Sequence, residues 1–218
     1  MIRKIFKFLG IALVSFLLIA VVVFWYFNES LPEGVQGAEA ELLADEMLDA
    51  LGKTSYDSIS QIEFTYVGSH SIKWDKFNNA ATVSWSDKSV NLDLNSPVED
   101  MDLLQYKAYQ FFINDTFWLV APFKIKDNGV VRSIVEVPEG RGLLVTHSKG
   151  GVTPGDSYLW IIDERGFPIA WKMWTNIIPI GGVELSWEDW TEKEGVWFSQ
   201  LHRNGPIELK VTDLNVVK

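Results

Sequence analysis

The chain has 218 residues, 19 Lys and Arg against 29 Asp and Glu, a formal charge of −10 and no cysteine. No basic stripe is present to displace counterions from phosphate, which excludes a nucleic-acid partner. The lack of cysteine excludes a disulfide scaffold, a thiolate metal site, a thiol nucleophile and a lipid-modified cysteine.

From Phe8 to Phe27 the chain is apolar, Ser15 being its most polar member, and Arg3, Lys4 and Lys7 stand just ahead. Twenty residues at about 1.5 Å each span roughly 30 Å, the thickness of a bilayer's hydrocarbon core. Residues 1–27 are therefore expected to form a cytoplasmic basic stub and a transmembrane signal anchor, so that the membrane is a partner through this helix. Because basic residues stay cytoplasmic, the expected location is the cell inner membrane, single-pass, with the C-terminal domain periplasmic or extracellular. The rival reading is a cleaved signal peptide, whose apolar region is usually about 7–15 residues and closely followed by a small-x-small site. The nearest such site here is Val35-Gln36-Gly37.

Residues 28–37, with Pro32, Gly34 and Gly37, read as a linker, and residues 38–218 as one domain. Residues 28–218 carry 16 basic against 29 acidic side chains, a formal charge of −13. Ala38 to Leu51 has helical period, with Leu43, Met47, Ala50 and Leu51 on one face and Gly52 as a left-handed stop. Ser96-Pro97-Val98-Glu99 has the form of a capping box opening a second helix, in which Met101, Leu104, Ala108, Phe111 and Phe112 form a stripe running toward Trp118 and ending before Pro122. Elsewhere the period is 2: Ile62, Phe64 and Tyr66; Val83 and Trp85; Val90, Leu92 and Leu94; Val183, Leu185 and Trp187; Ile207, Leu209 and Val211 each alternate with polar neighbours. Turn pairs such as Asn78-Asn79, Gly181-Gly182 and Asn204-Gly205 separate these short runs. The expected fold is α+β: a strongly curved antiparallel sheet of about ten strands, an incomplete β-barrel, wrapped around one or two helices and preceded by the transmembrane helix.

One N-terminal helix, short one-sided strands, an inserted helix and further strands resemble the LolA/LolB superfamily of bacterial envelope proteins. The stretch Gly150-Gly151-Val152-Thr153-Pro154-Gly155-Asp156-Ser157-Tyr158-Leu159-Trp160, then Ile161-Ile162-Asp163 and Pro168 to Trp174, is similar to segments of LolA-like proteins of the Bacteroidetes type. The resemblance covers roughly residues 38–216 and implies a half-barrel whose apolar concave face, closed by helices, receives lipid or lipoprotein acyl chains. The chain departs from the family in its N-terminal helix and its lack of an acylated cysteine.

Phe64, Trp85, Trp171 and Trp187 lie on the apolar phase of their strands, and Phe111, Phe112 and Trp118 on the helix expected to cover them. Together they are the expected lining of an apolar cavity for an acyl chain, each buried methylene being worth about 0.8 kcal/mol. The competing reading is a fully packed core. Thr153, Pro154, Gly155 and Asp156 form a turn that reads also as a rim loop over the cavity. Trp74, Trp174 and Trp190 fall on the opposite phase or at strand ends and suit a sugar-stacking or interfacial surface. His70, His147 and His202 lack ligand spacing, and no nucleophile elbow, triad or phosphate loop is present. No enzyme activity, metal or cofactor is therefore expected. The expected function is non-catalytic binding of a lipid or lipoprotein acyl chain, with another envelope protein as a further partner; the alternative is a protein-interaction or sensory domain of an inner-membrane complex with a fully packed core.

Overall fold

The computed structural model describes residues 2–138, 140–149 and 154–218, except for the side chains of residues 2–7, 12, 17, 20, 21, 23 and 140. Helix α1 (Ile2–Phe27) precedes α2 (Ala38–Ala50) and a short α3 (Lys53–Asp57). Strands β1 (Gln61–Tyr66), β2 (His70–Asp75), β3 (Ala80–Trp85) and β4 (Lys88–Asp93) follow, then α4 (Leu103–Val120). The chain continues through β5 (Val130–Val137), β6 (Gly140–His147), β7 (Ser157–Ile162), β8 (Pro168–Trp174) and β9 (Val183–Ser186). It ends in β10 (Glu188–Lys193), β11 (Val196–Asn204) and β12 (Ile207–Val217).

The expected single curved sheet is corrected by this topology. The twelve strands form two antiparallel sheets, β10-β11-β12-β1-β2-β3-β4 and β5-β6-β7-β8-β9, neither of them closed, and the helices are few, so the domain is mostly β rather than α+β. The separation occurs at Trp187, the one residue between β9 and β10. Its amide donates to the Ile169 carbonyl at 2.8 Å. Two residues on, Asp189 takes a left-handed φ of 52°, so the hydrogen-bond ladder of β9 with β8 does not run on into that of β10 with β11. Alternation alone reports which face a residue occupies, not where a ladder breaks.

The second correction concerns the N-terminus. Residues 2–27 are helical, yet among the described residues no helix is long and apolar enough to cross a membrane. A crossing calls for a helix of at least 18 residues with a window of high mean hydropathy and no more than two Asp, Glu, Lys or Arg, and no helix among the described residues meets it. The transmembrane signal anchor, the membrane as a partner through this helix and the single-pass inner-membrane location are corrected accordingly.

Residues 28–37 are not a free linker. The Asn28 side chain accepts from the Gly181 amide at 2.9 Å, the Glu29 amide donates to the Gly181 carbonyl at 3.0 Å, and the Trp174 indole donates to the Glu29 carbonyl at 2.8 Å. Lys172 pairs with Glu29 at 2.9 Å, and Val35 bridges antiparallel to Ile134. The segment thus straps the outer face of the five-stranded sheet, where Leu159 and Ile161 would otherwise meet water; all six residues of β7 are buried. Gly34 sits where a Cβ would collide with the Ser133 side chain, which accounts for glycine in the strap.

Helix α2 runs to the expected stop, Gly52 at φ 79°. It buries Leu43, Met47 and Leu48 while its acidic face is pinned by Glu41 to Arg132 at 2.7 Å, Asp45 to Lys126 at 2.6 Å, and Glu46 to Arg141. Strand β1 shows the alternation read from its residues, with Ile62, Phe64 and Tyr66 buried. In β12 the phase shifts: Val211 is buried but the next buried apolar residues are Leu214 and Val216. Asp213, at φ 55°, adds the extra residue that displaces the β1–β12 register between Glu63 and Thr65.

Candidate functional site

Helix α4 lies between the sheets and positions most of the expected site. It starts later than the Ser96-Pro97 pattern predicts. The Ser96 hydroxyl bonds to Asp93, and residues 98–100 form a separate 3-10 turn. The effective capping box is Asp102 with Gln105: the Asp102 carboxylate accepts from the amides of Leu104 and Gln105 at 2.8 Å, and Gln105 returns a bond to the Asp102 amide at 3.0 Å. From Ala108 onward the helix buries Ala108, Phe112, Asp115, Thr116, Leu119 and Val120.

The seven expected cavity residues come together in two ring clusters on either side of α4. Toward the seven-stranded sheet, Phe111 meets Trp85 at 5.3 Å between centroids and Phe112 meets Trp74 at 5.5 Å, with Phe64 buried in the same core. Toward the junction of the sheets, Trp171 contacts Trp118 at 5.2 Å and Trp187 at 5.0 Å. Tyr158, Trp160, Phe117 and His202 complete this second cluster, none of them part of the expected lining. Trp160 lies 4.8 Å from Trp171 and 4.9 Å from Trp187. It was hidden in Ser157–Ile162, a run buried on both faces that carries no alternation to read. These distances are those of rings in van der Waals contact, and they bring residues of α4, β7, β8 and β11 together with Trp187 at the junction of the sheets. Among the described residues, one depression of about 300 Å³ is lined by residues of β1–β4, Trp74 among them, and another of about 290 Å³ by the strap over β5, β7 and β8.

Two histidines tie α4 to the sheet. His70 Nδ1 is 2.7 Å from the carboxylate of Asp115, whose other oxygen accepts from Asn114 at 2.9 Å. Desolvation raises the Asp115 pKa against the opposing pull of those bonds from Asn114 and His70. His202 is fully buried, with Nε2 2.8 Å from the Trp118 carbonyl and Nδ1 3.1 Å from the Ser186 carbonyl. Desolvation lowers its pKa to about 4, although both carbonyls favour the charged form. A neutral imidazole has one N–H, so one of its two carbonyl contacts lacks a proton. The buried indole N–H groups of Trp74, Trp171 and Trp187 and the Thr175 hydroxyl have no hydrogen-bond partner among the described residues.

Of the expected rim loop, Thr153 lies outside the described residues. Pro154 and Gly155 are exposed, while Asp156 is buried and accepts from the Asn176 amide at 2.9 Å; the Asn176 side chain donates to the Pro154 carbonyl at 3.0 Å. The turn is thereby clamped to the segment after β8. Of the tryptophans on the other phase, Trp74 packs on Phe112, Trp174 is bonded to the strap and Trp190 packs on Phe167 at 5.4 Å. Among the described residues no group of three His, Asp or Glu side chains is placed to hold a metal ion. No family model matches the chain, and no curated protein matches it.

Proposed function

We propose that this protein is a non-catalytic protein-interaction domain, with its aromatic interior a packed scaffold and its partner met at the N-terminal shoulder of α4. One observation carries the reading. Leu103 is 92% exposed, and Leu104 and Tyr106 are each 41% exposed, on a helix that buries apolar residues only from Ala108 onward. The capping box holds this first turn without tertiary burial, leaving an apolar knob beside the exposed acidic residues Glu99, Asp100 and Asp102. A protein cleft with an apolar floor and a basic rim is its complement, the apolar contact supplying affinity and the charges orientation. With a photo-crosslinking residue at position 103, the full chain is expected to give one discrete protein adduct that Tyr106→Ala and added salt both diminish. The same yield from a control probe at exposed Leu42 would refute the assignment.

A second reading is supported by the unpartnered indole N–H groups of Trp171 and Trp187. An acyl ester admitted between α4 and the junction cluster would offer carbonyl acceptors to those donors and apolar chain to the rings. The resemblance to the LolA/LolB superfamily belongs with this reading. Native mass spectrometry of the full chain, with titration of a fluorescent fatty acid, distinguishes the two: saturable uptake supports the acyl guest and no occupancy supports the packed scaffold.

A further inference from the structure

The outer face of the seven-stranded sheet carries a depression of about 300 Å³ with no part in the reading above. Its lining includes two in-register rows across β1–β4, with Trp74, Ala81 and Leu92 of the row between them also bordering it. One runs Glu63–Lys73–Thr82–Asn91 and the other Gln61–Asp75–Ala80. The hollow has a steric cause: Ala80, a methyl group, stands where its neighbours carry longer polar side chains. We infer that this trough is a binding site for a neutral oligosaccharide.

Strands β1, β2 and β3 are each paired on both sides, so over these three strands the backbone offers no ladder to a peptide and a ligand is read by side chains. Those side chains both donate and accept, as a polyol requires: Lys73 donates, Glu63 and Asp75 accept, and the amides of Gln61 and Asn91 do both. Several are already held in place. Thr82 Oγ1 donates to Asn91 Oδ1 at 2.8 Å, leaving the Asn91 amide NH2 to donate elsewhere. Lys73 lies 3.5 Å from Glu63, and the Asp75 carboxylate accepts from the Asn78 amide at 2.9 Å and from its side chain at 2.8 Å. Two carboxylates against one ammonium in the trough, on a chain of charge −10, disfavour an anionic ligand such as a nucleotide. The volume is at the low end of small-molecule sites, about 300–1,000 Å³, which suits one or two sugar rings.

The test is calorimetric titration of the full chain with cellotetraose, maltotetraose and chitotetraose, with backbone amide shifts mapped by NMR. At least one of the three is expected to bind saturably and to shift the amides of Gln61, Thr82 and Asn91. Ala80→Leu fills the trough and is expected to weaken that binding at least about tenfold. Leu103→Asp, remote from the trough in the chain, is expected to leave saccharide binding unchanged, so this result stands apart from the α4 interaction. No heat and no shift with any of the three at about 10 mM would overturn the inference. So would wild-type affinity in both Ala80→Leu and Asn91→Ala variants that melt at the wild-type temperature.

Discussion

Replacing Trp171 tests whether the junction cluster is solid. Its side chain is fully buried and touches five rings: Phe117, Trp118, Tyr158, Trp160 and Trp187. Trp171→Ala removes the largest contact in the cluster and leaves a hole its neighbours cannot fill without leaving their rotamers. A cost of about 4–5 kcal/mol follows, at the upper end for a buried aromatic. Trp171→Phe is expected to behave quite differently. It gives up part of the ring, about 1–2 kcal/mol, but also removes a buried indole N–H with no acceptor, whose burial itself costs about 1–3 kcal/mol. The two terms offset to within about 1 kcal/mol. With a urea dependence of about 2 kcal/mol per molar, the alanine variant's unfolding midpoint falls by about 2 M and the phenylalanine variant's by less than about 0.5 M. Equal losses in the two variants would refute the orphan-donor argument. An alanine variant costing less than about 1.5 kcal/mol would refute the solid interior on which the interaction reading rests, and would favour the acyl guest.

Acid is expected to loosen the fold through the buried His202. Its folded pKa, about 4, lies below the unfolded value near 6.5, so the unfolded chain takes up its proton first. The stability this group confers is complete above pH 6.5 and is lost as pH falls from about 6.5 to about 4, by at most about 3 kcal/mol. His147, also lowered by desolvation, acts with the same sign, whereas Asp115, raised by burial, acts with the opposite one. A His202→Gln variant is therefore expected to show a flatter thermal-melting profile across that interval than the wild type; an unchanged slope would place the acid sensitivity elsewhere. Asp102→Ala removes the acceptor of the α4 capping box and is expected to cost about 1 kcal/mol in urea unfolding, whereas Ser96→Ala, outside the helix, is expected to cost less than about 0.5 kcal/mol.

Local chemistry was legible in the residues themselves. The helix from Ala38 and its stop at Gly52, the alternation of β1, and the apolar phase of Phe64, Trp85, Phe112, Trp171 and Trp187 all follow from side-chain period and backbone freedom, which act over a few residues. What the sequence could not hold is anything set by contacts between distant segments. Whether those rings surround a hollow or fill it depends on Tyr158, Trp160 and His202 arriving from β7 and β11. That residues 28–37 strap a sheet depends on Gly181, Trp174 and Lys172, more than 140 positions away in the chain. The break between the sheets at Trp187 and the empty place above Ala80 are likewise decided by which strands become neighbours. Period reports the face of a residue, and only the folded chain decides what meets that face.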